Sequence, residues 1–239
     1  MTSTNKKNIA LFIGLFITGV WVMSFISSCG KTAASSSGLN VKYQIINLSP
    51  DLNPIDLYID FNRQNPSTNP FIYSVSHGYF YVTSLDTPYQ IRSHLVTGTT
   101  ILARHDILRS GVNYTLMITG NVSNSSVTSI FTADTASSPA IGRGKIRFVN
   151  ASPTGTTGLD VYANGTLAFS NVVYPKVSSY IELPNGNYNF QLNTTGASGI
   201  LKTLTNVIIQ DGRLYTLYAY GYTSRADSAS FNAAVITNK

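Results

Sequence analysis

The sequence predicts an all-β protein, two tandem antiparallel β-sandwiches behind an N-terminal export segment. Three observations predict it. Charged residues make up only 11% of the 239-residue chain, against 43% hydrophobic and 11% aromatic. Such a composition, rich in Tyr, Thr and branched side chains, suits pleated, half-buried surfaces. The stretch KYQIINLSP (42–50) returns as KIRFVNASP (145–153), an offset of 145 − 42 = 103. Gly-containing turn pairs punctuate the chain, and no amphipathic helical stretch separates them.

The first element is a targeting segment. Lys6 and Lys7 precede an uncharged run from Ile9 to Ile26, which is 26 − 9 + 1 = 18 residues. That length fits a long signal peptide or an uncleaved anchor helix. Ile26-Ser27-Ser28-Cys29 separates the two, because an apolar residue, two small residues and a Cys resemble a bacterial lipobox. The resemblance implies cleavage before Cys29 and diacylation of its sulfur, so residues 1–28 are expected to be a lipoprotein signal peptide. Two or more acyl chains anchor stably. Cys29 is also the single Cys, so an exported chain holds no internal disulfide and relies on core packing.

Residues 29–40 are small and polar and read as a flexible tether. No acidic residue lies between Cys29 and Asp51. Some surface-displayed lipoproteins of Bacteroidetes carry an acidic patch there, so its lack favours an anchor facing the periplasm. The expected address is the bacterial cell envelope, most simply the outer membrane. The formal charge is +6; without Lys6 and Lys7, 14 basic residues face 10 acidic ones, or +4. The basic residues are scattered, which argues against a nucleic-acid partner.

The remaining elements follow from the repeat. GVNYTL (111–116) matches GRLYTL (212–217) at an offset of 101. Two blocks in the same order at nearly one offset indicate duplication of a domain of about 100 residues. The first sandwich is assigned to 41–134, a linker to 135–144 and the second sandwich to 145–239, each expected to fold separately. In the first copy Ile55, Leu57, Ile59 and Phe61 alternate with Asp56, Tyr58 and Asp60, and LDVYA (159–163) repeats that parity. Asn164-Gly165 and Asn185-Gly186 are both read as type I′ hairpin turns. Ser110-Gly111 and Asp211-Gly212 mark further turns. Asn-x-Ser-Pro reads as a strand-to-turn device, the Asn bonding nearby backbone and the Pro ending the ladder.

The stretch from Lys145 to about Gly221 closely resembles the DUF4397 domain, a family of unassigned function. The likeness rests on an N-A-S-P segment, then LDVYANG, S-x-Y with P-x-G-x-Y, and G-x-x-Y-T. The first copy shares Asn47, Ser49, Pro50, Asp56, Tyr58, Gly111, Tyr114 and Thr115, but departs in its middle. The resemblance implies an immunoglobulin-like or transthyretin-like sandwich of the cell envelope, often in lipoproteins, with no known catalytic residues.

Candidate sites are few. Asp56 beside Tyr58 and Asp160 beside Tyr162 are the repeated polar pairs, either contacting ligand or holding the fold. One acid per domain makes no acid/base pair, and the remaining acids are too scattered for glycoside hydrolysis. His77, His94 and His105 match no compact metal spacing, although His94 and His105 are placed to oppose each other on a hairpin. No metal site, cofactor site, G-x-S-x-G elbow, P-loop or dinucleotide fingerprint is predicted. Tyr218, Tyr220 and Tyr222 share one strand face, with Leu217, Ala219 and Gly221 on the other. Exposed, they form a platform for a glycan or an envelope protein; packed, they stabilise the sheet. The expected function is a non-enzymatic, lipid-anchored binding or structural module. An envelope hydrolase with its site at the domain interface is the alternative.

Overall fold

The computed structural model describes residues 40–238, except 53, 83–85, 97, 124 and 155. The export segment, Cys29 and the tether lie outside the described residues, among which every regular element is a strand. The first copy contains β1 (Lys42–Asn47), β2 (Ile55–Ile59), β3 (Asn62–Arg63), β4 (Phe80–Tyr81), β5 (Asp86–Ser93), β6 (Thr100–Ile107), β7 (Asn113–Thr119) and β8 (Thr128–Ala133). They form two sheets, an inner one ordered β4-β1-β7-β8 and an outer one ordered β3-β2-β5-β6.

The second copy contains β9 (Arg143–Asn150), β10 (Leu159–Ala163), β11 (Thr166–Val172), β12 (Lys176–Val177), β13 (Ile181–Pro184), β14 (Gly186–Thr194), β15 (Ile200–Ile209), β16 (Leu214–Tyr220) and β17 (Asn232–Thr237). Its inner sheet runs β12-β9-β16-β17, with β13 also on β9, and its outer sheet runs β11-β10-β14-β15. Each inner sheet has one parallel pair, β1 with β7 and β9 with β16; the other named pairs are antiparallel.

The layers follow from the cores. Tyr43, Ile45, Leu116 and Ile118 of the first inner sheet pack on Leu57, Ile59, Tyr89 and Ile91 of the first outer sheet. Phe148 and Leu217 do the same against Val161, Phe190 and Leu192 in the second copy. A third core joins the copies. Ile46, Leu48, Met117 and Ile130 of the first inner sheet meet Val149, Ala151, Tyr218 and Tyr220 of the second. Neighbours in sequence serve different cores, as Ile45 and Ile46 do, so both faces of each inner sheet are buried. The result is four layers, outer-inner-inner-outer, in which the two expected sandwiches share a third core.

Turn chemistry sets the ends of the strands. Asn164-Gly165 closes the β10–β11 hairpin with φ of +48° and +81°, as a type I′ turn requires. Asn185-Gly186 closes no hairpin. β13 pairs with β9 in the inner sheet while β14 pairs with β10 and β15 in the outer one, so the dipeptide is a corner between sheets. Phe61 is likewise not inward. Asp60 and Phe61 form the β2–β3 turn with φ of +48° and +62°, placing Phe61 at an exposed tip in a conformation that strains a bulky side chain.

Candidate functional site

The repeated Asn-x-Ser-Pro segments are built alike. Asn47 Oδ1 accepts the Ser49 amide at 3.1 Å and Asn150 Oδ1 accepts the Ser152 amide at 3.1 Å. Each Ser hydroxyl then donates to a carbonyl at the end of the parallel partner strand, Ser49 to Gly120 at 2.8 Å and Ser152 to Gly221 at 2.6 Å. Both glycines have positive φ, and a Cβ on either meets a carbonyl oxygen within 2.1 Å (Gly120) or 2.3 Å (Gly221). The G-x-x-Y-T repeat has its own device, which spacing alone does not announce. Tyr114 and Tyr215 accept, through their hydroxyls, the amides of Arg109 and Gln210, each at 3.0 Å and five residues back. Such a tyrosine corner pins the loop that crosses between sheets. These repeated features keep the fold.

Asp56 and Asp160 face away from the sandwich cores, as their parity predicts, yet both are buried. Asp160 accepts the Asn171 amide at 2.7 Å and the Thr195 hydroxyl at 2.8 Å. Burial pushes its carboxyl up, but these hydrogen bonds outweigh that and hold it below the ordinary range. Neutral donors therefore satisfy this acid. In the first copy the same acid has charged company. Arg63 Nη2 lies 2.6 Å from Asp56, His94 Nδ1 lies 3.1 Å away, and Asn65 donates at 2.8 Å.

Strand register shows how the copies diverge. Arg63 pairs with Tyr58 where Leu167 pairs with Tyr162, and Arg92 opposes Asp56 where Asn193 opposes Asp160. His94 takes the place of Thr195 on the acid. The Arg92 guanidinium sits 4.3 Å from the centre of the Tyr58 ring and donates to Gln90, while Arg63 lies 5.8 Å from the same ring. Arg92 forms no ion pair among the described residues, and it stays half-exposed. The first outer sheet thus presents an aromatic ring flanked by two guanidiniums over one buried carboxylate. Tyr162 on the second outer sheet has polar, uncharged neighbours and Leu167.

The tyrosine row is not an open platform. Tyr218 and Tyr220 are 2% and 8% exposed and pack in the third core, where the Tyr73 and Tyr220 rings meet edge to face at 6.1 Å. Burial pushes both hydroxyls up. Tyr222 is half-buried and donates to the Gly120 carbonyl at 3.3 Å, bridging the copies. The sequence reading placed Leu217 and Ala219 on the opposite face correctly, but the face it left to solvent is covered by the other copy.

Beside the third core lies a polar network with no sequence signature. Arg147 is buried and paired with Asp134 of the first copy, and it also donates to Thr132, the Ala133 carbonyl and Thr216. Asp134 accepts in addition from Thr115 at 2.6 Å and Tyr79 at 2.7 Å. The network is nearly two-fold. Thr115 donates to Gln44 and Asp134 in one copy, and Thr216 meets Arg147 and Asn238 in the other. The matched positions Gln44/Arg147 and Asp134/Asn238 have become opposite charges across the interface.

Catalytic geometry does not assemble among the described residues. His105 opposes Pro88 on β5, one end of the hairpin away from His94, so the two histidines do not face each other. No group of three potential metal ligands is found among the described residues. Among the described residues, clefts of 190, 240, 330 and 360 Å³ are each lined by at most one carboxylate. No described helix is long and apolar enough to cross a membrane.

No curated protein matches the chain. The family model described as "Domain of unknown function (DUF4397)" matches residues 42–157 and, again, 154–239. The first match runs past the first sandwich to take in β9, the strand that repeats the opening of β1. With the two matches spanning both sandwiches, the chain belongs to the DUF4397 family as a tandem of two copies.

Proposed function

We propose that this chain is a non-enzymatic cell-envelope lipoprotein, held to the membrane by acylated Cys29, whose first outer sheet binds an anionic group of an envelope glycan or protein. The observation that supports it is the difference between the copies. The second copy satisfies its buried acid with neutral donors, so the fold does not need cations there. The first copy nevertheless places Arg63, Arg92 and His94 around Asp56. Arg92 forms no ion pair among the described residues, is braced by Tyr58 and Gln90, and offers a planar guanidinium that suits carboxylate or sulfate. Asp56 and Tyr58 then act as supports beneath the contact. Asp160 and Tyr162 serve the fold.

Arg92→Gln tests the site. It should weaken binding of a polyuronate or sulfated glycan about tenfold, as expected when one charge-assisted contact is lost. Thermal stability should fall by no more than about 1 kcal/mol, since among the described residues Arg92 is held only by the Tyr58 ring and Gln90. Equal binding by the variant, or equal binding of a neutral glycan by the parent, would sink the reading. The anchor has a separate test. Mass spectrometry of the mature N-terminal peptide should find acylated Cys29, and an intact Met1 on membrane-bound protein overturns it.

A further inference from the structure

Strand direction sorts the molecule into two ends. β1 and β7 both begin at one end of the first copy, and β9 and β16 begin at one end of the second. The interface brings these two ends together. Asn113 at the start of β7 donates to the Asn238 carbonyl beyond the end of β17, and Asp134 meets Arg147 near the start of β9. The described chain enters at this same end, where Asn40 accepts the Gly111 amide at 3.1 Å. It is the tether end of both sandwiches.

Exposed apolar side chains stand at both ends, Leu95, Val96, Val122 and Ile200 away from the tether and another set beside it. Ile107 at the end of β6 is 73% exposed, and Ile208 near the end of β15 is 64% exposed. They are matched positions, each preceding the loop into the tyrosine-corner strand, so the duplication kept an exposed Ile twice. Ile141, just before β9, is 98% exposed. Phe61, at the β2–β3 tip, is 65% exposed and sits at a positive φ where the second copy has glycine. A strained, exposed aromatic does nothing for the fold and points to a contact. Around these side chains stand the exposed Arg109, Arg143 and Arg213, for which no ion pair is found among the described residues, and the exposed carboxylates of Asp60 and Asp211. Tyr81 lies here too, with Lys42 Nζ 5.5 Å from its ring centre.

We propose that the tether end is a membrane-contacting face, which seats both sandwiches end-on against a bilayer containing anionic phospholipid. The inference rests on the reading that Cys29 is acylated. From Cys29 to Asn40 is 40 − 29 = 11 peptide steps, which reach at most about 40 Å when fully extended. The tether joins the sandwiches at this end, which favours it as the end that rests on the lipid. Isolated apolar side chains ringed by arginine and tyrosine match the boundary between headgroups and acyl chains. Seated this way, the outer sheets stand upright, and Arg92 faces sideways into the envelope space.

The chain carries a single Trp, Trp21, in the export segment, so residues 29–239 have none and a new indole reports alone. This piece contains the whole compact unit 39–239. Cys29 is joined chemically to a maleimide lipid in phosphatidylcholine vesicles with a quarter phosphatidylglycerol, with and without brominated acyl chains. The Phe61→Trp variant should be quenched by bromolipid by about half or more, since interfacial side chains reach roughly 5–10 Å into the boundary. Val122→Trp, in a loop at the opposite end, should not be quenched. Adding Ile107→Asp and Ile208→Asp to the Phe61→Trp variant should abolish the quenching. No quenching at position 61, or equal quenching at both ends, overturns the proposal. Because the anchor is attached chemically, an unacylated Cys29 in cells would refute the lipoprotein reading and leave this result standing.

Discussion

Replacing Arg147 by Ala should cost about 3–5 kcal/mol of stability, the range for removing one partner of a buried pair. The guanidinium is 5% exposed and the carboxylate of Asp134 is fully buried. Without Arg147, Asp134 keeps only the neutral donors Thr115, Thr132 and Tyr79. Burial and the Asp134 charge both push the Tyr79 hydroxyl up, so it stays protonated and goes on donating, but it brings no charge. The decisive companion is Arg147→Gln with Asp134→Asn, which gives each copy the neutral group its counterpart already has, Gln44 and Asn238. The double variant should be more stable than either single alanine variant. It should also show a coupling of about 1 kcal/mol or more between the sites. Denaturant unfolding of the parent, Arg147→Gln, Asp134→Asn and the double variant decides the matter: additive losses would mean that the two residues do not act as a pair.

Tyr220→Ala should cost about 3 kcal/mol, as large-to-small changes in a core do. The ring packs with Tyr73 and Tyr218 between the inner sheets, and its removal leaves a void that neither sheet can close without shifting the other. The loss should appear as a lower midpoint of one cooperative transition, since the core belongs to both copies. A loss below 1 kcal/mol would mean that the ring faces solvent after all. Tyr222→Ala, at a half-buried position, should cost less.

Much of the fold was legible because duplication prints the same physics twice. Asn-x-Ser-Pro, G-x-x-Y-T and Asn164-Gly165 each act through contacts a few residues long or through one fixed strand pairing. The misread features share a different cause. β16 is buried along its whole length, so alternation along the strand separates one core from another and not core from solvent. Three tyrosines on one face then look like a surface row. Asn185-Gly186 has the residues of a hairpin turn, but the partners of β13 and β14 decide whether the chain folds back or changes sheet. Phe61 continued an apolar alternation, and that pattern outweighed the repeat, which sets DFNRQNPSTNPF (60–71) where the second copy has its hairpin Asn-Gly. The charge cluster on the first outer sheet gathers Arg63, Arg92 and His94 onto one acid only through strand register. The Arg147–Asp134 pair becomes visible only when the two inner sheets are laid together.

That pair also bears on how the chain recognises itself. Two sandwiches of one ancestry carry nearly the same inner-sheet face, so a first copy from one molecule has a ready surface on the next. Two first copies facing each other would set each Asp134 against Gln44 with no guanidinium to pair it, and two second copies would bury each Arg147 against Asn238 with no carboxylate. Only a first copy against a second closes the pair, and the second copy tethered to the same chain is always nearest at hand. The charge that replaced an ancestral match works as a lock cut for one key, favouring closed monomers over chains linked into dimers or fibres. Arg147→Gln with Asp134→Asn removes that bias while keeping the interface filled, and its elution beside the parent at raised concentration reports how much of the discrimination the pair supplied.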